Sequence, residues 1–149
     1  MKKFNFPLNT VLNYKDQVLD NLISQHAQIL VRVAGQEKKI SQMEEMKNSA
    51  CIKLKKEKET GIAINTMREY EAYIMNIEKI ILAEQKALAV LKEKEEQKRA
   101  QVVEARKEKA SIEKLKEKKL MQYEKEVQRS EELFIEEFVS NIMSVRNNR

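Results

Sequence analysis

The chain has 149 residues, with 29 basic and 24 acidic side chains and a net charge of +5. Charged residues make up 36% and aromatics 5%, with 2 glycines, 1 proline and no tryptophan. So few aromatics and turn formers exclude a compact globular fold, and the balance marks long solvated helices or coiled coil.

The opening MKKFNFPLNTVLNY starts basic, but polar residues interrupt any apolar run, which is unlike a secretory signal. Pro7 suits a first helical turn, where its missing N–H is not needed. From Leu8 a heptad seam runs through Leu12, Lys15, Leu19, Leu22, His26, Ile29, Val33, Gln36, Ile40, Met43, Lys47, Ala50 and Leu54. Steps of alternating three and four keep this mostly apolar stripe on one side of a helix and impose a left-handed supercoil. His26 on that seam reads as a polar layer that fixes register. No second histidine or nearby cysteine accompanies it, so no metal site is expected. Gly35 inside the helix either admits a close approach or is simply tolerated, at about 1 kcal/mol relative to Ala. Cys51 is the single cysteine and fits a reducing, cytosolic compartment.

The first helix is expected over about residues 7–59, a turn over about 60–65 and a second helix over about 66–145, all in one domain. Gly61 accepts positive φ and can end the first helix. Thr66 and Glu69 have the S/T-x-x-E spacing of a capping box that would start the second. The predicted fold class is therefore all-α: a long two-helix antiparallel coiled-coil hairpin whose longer second helix overhangs the first. Paired residue numbers would sum to about 125, which sets Val33 against Leu91, Leu22 against Val102 and Leu12 against Ile112.

Just past the turn, Tyr70, Tyr73, Ile77 and Ile80 recur at helical spacing. Ile77 belongs to the second seam, which runs from Ile74 through Ile81, Glu84, Leu88, Leu91, Glu95, Lys98, Val102, Ala105 and Lys109 to Ile112. Tyr73 and Ile80 fall off that seam, as either a binding patch or packing against the turn. Residues 92–119 hold 11 basic and 7 acidic side chains, and residues 124–137 hold 6 acidic and 2 basic. The long helix is thus a basic shaft with an acidic tip, and the tip opposes adsorption to nucleic acid or anionic lipid. Beyond the reach of the first helix lie Leu133, Phe134, Ile135, Phe138, Val139, Ile142 and Met143, an apolar face that predicts a partner.

No phosphate-binding loop, dinucleotide fingerprint or nucleophile elbow is present, so neither an enzyme nor a cofactor is expected. No segment approaches the roughly 20 apolar residues that span a bilayer, which predicts a soluble chain without direct bilayer insertion. The residues leave open a nucleic-acid- or ribosome-binding helical hairpin on the basic shaft, and a stalk of another rotary ATPase.

Three blocks carry a resemblance: KKFNFPLNTVLNYKDQ, GIAINTMREYEAYIMNIEKIILAEQKAL and RAQVVEARKEKASIEKLKEKKLMQYEKEVQRSEELFIEEF. Their order and spacing resemble the FliJ family of flagellar type III export proteins over nearly the whole chain. The resemblance implies a non-enzymatic coiled-coil stalk without cofactor. It implies that the stalk enters the hexameric ring of the export ATPase (FliI), promotes its assembly and couples it to the cytoplasmic part of the export gate (FlhA). Handing over export chaperones is implied as well, with no nucleic acid involved. The implied location is the cytoplasm, peripheral to the inner membrane through the export apparatus. Met43 and Met46, with Tyr73, Ile77, Ile80 and Glu84, occupy positions similar to the family's gate-binding surface. Phe4, Phe6, Phe134, Ile135, Phe138 and Ile142 are the residues expected at the ATPase ring.

Overall fold

The computed structural model describes residues 2–148. It is an all-α helical hairpin of two helices, α1 (Asn9–Thr60) and α2 (Ile64–Asn147), with no strand among the described residues. Contacts divide the chain into two compact units, a turn unit of Asp20–Val103 and a terminal unit of Met1–Leu19 with Glu104–Arg149.

In the turn unit the heptad seam is the core. Every seam position from Leu22 to Leu54 on α1, and from Ile74 to Val102 on α2, is buried or half-buried. Ile40, Ile77 and Ile81 form its centre, with Met43 and Leu88 packed against them. Ile77 is 3% exposed, and none of the described side chains is fully enclosed. Two helices shield each other along one stripe and leave its flanks wet, so even the best-covered residue keeps an edge in water. Polar seam residues fill their layers with each other. His26 is hydrogen-bonded to Glu95 at 2.9 Å, and the Gln36 amide donates to the Glu84 carboxylate. Flanking ion pairs Lys47–Glu78 (3.0 Å) and Glu37–Lys92 (3.4 Å) tie α1 to α2. Exposed pairs of this kind add little stability, but they penalise other registers. A Cβ built on Gly35 meets nothing within 4 Å, so no close approach requires that glycine.

The turn is shorter than the expected span. Gly61 has φ +94° and ends α1 in the left-handed conformation. The Thr60 hydroxyl donates back to the carbonyls of Lys56 and Glu57. Met67 N–H donates to the Ala63 carbonyl at 3.1 Å, which makes Ala63 the N-cap and starts α2 at Ile64. Thr66 therefore sits inside the first turn of α2 and does not cap it. Ile62 and Met67, both half-buried, occupy the two positions of a hydrophobic staple and set the entry angle instead. At the other terminus α1 begins at Asn9, and Pro7 lies before it. The Asn9 N–H donates to the Phe6 carbonyl at 3.1 Å, closing a turn with Pro7 inside it.

In the terminal unit, Leu12, Lys15, Leu19, Ala105, Lys109 and Ile112 are buried or half-buried on the expected register. Lys109 pairs with Asp16 at 2.6 Å, and Lys15 with Glu108 at 2.8 Å. The Lys15 ammonium is held above its ordinary range by its hydrogen bond to Glu108 and by that carboxylate's charge.

Candidate partner-binding surfaces

Two regions hold the candidate residues, one in each unit. In the turn unit, Met46 on α1 and Tyr73 on α2 are 47% and 45% exposed. They line one open groove of about 910 Å³, together with Ala50, Tyr70, Glu45 and Glu69. Tyr70 shapes its turn-side end. Its hydroxyl donates to Glu57 at 3.0 Å, and that bond, chiefly, holds the phenol above its ordinary pKa. Met43 and Ile77 do not line the groove; they lie in or against the Ile40–Ile81 cluster and offer little surface. Ile80 and Glu84 are half-buried further along α2 and do not line the groove. Glu84 is fully engaged within the chain. Gln36 donates to its carboxylate and, at 3.0 Å, to its main-chain carbonyl, and Lys39 Nζ donates to its Oε1 at 2.9 Å. The Gln36 and Lys39 hydrogen bonds hold the Glu84 carboxyl below the ordinary carboxylate range.

In the terminal unit, the last stretch of α2 is bare. Every described residue from 128 onward is exposed, including Phe134 at 70%. Phe134 and Ile135 share a shallow hollow with Val127, and Phe138 and Ile142 share another with Val145. Such a cluster of large apolar side chains in water costs solvation that only a covering partner would recover. Acidic residues 131, 132, 136 and 137 border it and set the sign of charge that a partner would have to meet.

Phe4 and Phe6 are placed differently from those four. Phe6 is 5% exposed and belongs to the core of the terminal unit. Phe4 is half-buried, its ring 5.4 Å from that of Tyr123 at 49°. Tyr123 Oη donates to the Lys2 carbonyl at 2.8 Å, and Lys116 Nζ donates to Asn9 Oδ1 at 3.2 Å. Residues 2–6 thus form a non-helical strap on α2. The hairpin register carried past Pro7 already sets residue 2 against residue 123, and Phe4 and Phe6 alternate at the period of an extended segment.

Among the described residues no group of three or more His, Cys, Asp or Glu side chains is placed to hold a metal ion. No described helix is long and apolar enough to cross a membrane. The family model described as "Flagellar FliJ protein" matches residues 4–148 of the chain. No curated protein and no solved structure matches it.

Proposed function

Because the chain belongs to the FliJ family, non-catalytic components of flagellar type III export, we propose that it is a coiled-coil stalk with two working surfaces. The bare apolar segment of α2, through Phe134, Ile135, Phe138 and Ile142, docks on the export ATPase ring and promotes its assembly. Phe4 and Phe6 support the root of that segment from the strap. The turn-unit surface, with Tyr73 and Met46 on the groove, Met43 and Ile77 in or against the Ile40–Ile81 cluster and Ile80 and Glu84 further along α2, meets the export gate. Through these two contacts the chain couples the ATPase to the gate at the cytoplasmic face of the membrane, and it escorts export chaperones.

The observation that carries this reading is the contrast in burial along α2. A stripe that is half-buried as far as Val127 is followed by an apolar, acid-bordered segment that no described residue covers. A helix does not keep Phe134 and Phe138 in water without a use that repays it. The test is a titration of the chain into the purified export ATPase of the same cell, following hydrolysis rate and ring formation at fixed salt. Saturation near one chain per ring, with both readouts rising, supports the stalk. No response from a folded chain refutes it.

A further inference from the structure

Residues 2–6 lie on the same stripe of α2 that the candidate docking segment continues. Tyr123 and Val127 are half-buried, and the next stripe residues, Phe134 and Phe138, are bare. The strap therefore occupies the root of a face that is otherwise open. It is held by two unequal fixings. Phe6 is a deep anchor, followed at once by the Pro7 turn. Beyond it, Asn5, Lys3 and Lys2 are exposed, and among the described residues the Phe4–Tyr123 ring contact and one hydrogen bond from Tyr123 hold the tip.

We propose that the tip of the strap is a displaceable cover: Lys2–Asn5 swings off Tyr123 about the Phe6–Pro7 anchor when a partner runs along the stripe from Phe138 to its root. The asymmetry supports this directly. A tilted aromatic pair and a single exposed hydrogen bond are each worth about a tenfold equilibrium factor or less, so the tip opens far more readily than the anchored seam. The uncovered root then adds the Tyr123 ring to the docking face beside Val127. The closed strap thus makes the face smaller, and a partner must offset the cost of its opening.

This rests on the ATPase reading above, and the experiment separates the two. Hydrogen exchange is measured on the full chain, alone and with the purified export ATPase. The expected result is slower exchange over residues 133–145 and, for a spin label on Asn5→Cys in a Cys51→Ser background, a rise in the mobility of the strap. Slower exchange over 133–145 with an unchanged or less mobile strap overturns the cover and leaves the ATPase reading standing. Binding without any change over 133–145 overturns both. In the free chain, Phe4→Ala is expected to raise the mobility of the same strap label while amides over 12–19 and 105–112 keep their exchange rates. Loss of protection there as well would make the strap part of the core and overturn the cover. The same variant is expected to bind the ATPase several-fold more tightly, and weaker binding would instead mark Phe4 as a direct contact.

Discussion

Ile77 and Phe134 are both large apolar residues of α2, yet one is 3% exposed and the other 70%. Ile77 lies where α1 supplies Ile40 and Met43 across the seam, and Phe134 lies where no described residue covers it. Hydrophobic residues thus do two jobs in one helix. In the turn unit they hold two helices together, and in the last stretch of the terminal unit they stand exposed, the face proposed above for a partner. The difference is set by the unequal lengths of α1 and α2, because the seam pattern itself continues past the point where cover ends.

The largest effect is expected where cover is best. Ile77→Ala should destabilise the turn unit by about 2–4 kcal/mol, because it removes buried methylenes and leaves a void beside Ile40 and Ile81. A thermal melt followed by circular dichroism reads this directly, and a change below about 1 kcal/mol would show that the seam is loosely packed there. Phe134→Ala combined with Phe138→Ala should do the reverse. Each exposed site should alter stability by no more than about 0.5 kcal/mol, while affinity for the export ATPase falls about tenfold or more. Gly61→Ala should cost about 1 kcal/mol, since its φ of +94° brings Cβ against the following carbonyl. Gly35→Ala should gain about 0.5–1 kcal/mol, because a methyl there meets only solvent and the unfolded chain loses freedom. A lower melting temperature for that variant would place an unexpected contact at Gly35.

The smallest effect is electrostatic. The Glu84 carboxyl is held below its ordinary value by Gln36 and Lys39. A group whose pKa is depressed on folding contributes stability above its unfolded value and loses it as pH falls through the folded one. Glu84→Gln should therefore lower the melting temperature slightly at neutral pH and flatten the decline on acidification. Parallel melting curves for wild type and variant across the acid range would exclude Glu84 as a contributor.

Much of the hairpin was legible because it is written at a fixed period. All the seam positions named from Leu12 to Leu54, and from Ile74 to Ile112, are buried or half-buried. Leu8 is the exception at 38% exposure, because it caps α1 instead of lying within it. Polar layers were legible as positions but not as partners. That Glu84 would bind both Gln36 and Lys39 depends on side-chain reach, which heptad spacing does not encode. The start of α2 was missed by two residues, because a capping-box spacing at Thr66 reads more strongly than Ala63 does. A glycine in the left-handed conformation followed by an Ile62–Met67 staple closes the turn in less chain. The strap was missed for another reason. Helical periodicity stops at Pro7, and Phe4 and Phe6 were expected at the ATPase ring with no contact inside the chain assigned to them, whereas Phe6 is core and Phe4 rests on Tyr123. Among the gate candidates, Tyr73 and Met46 share a groove that residue spacing alone does not reveal, because its two walls come from different helices.

The central claim is that the two units present separate surfaces to separate partners. The most direct test is a crossed binding measurement. Wild type, Phe134→Ala with Phe138→Ala, and Tyr73→Ala are each titrated with the export ATPase and with the cytoplasmic part of the export gate, helicity being monitored throughout. The account predicts that the phenylalanine pair loses the ATPase and keeps the gate, and that Tyr73→Ala loses the gate and keeps the ATPase. Equal loss of both partners by either variant at unchanged helicity would contradict it.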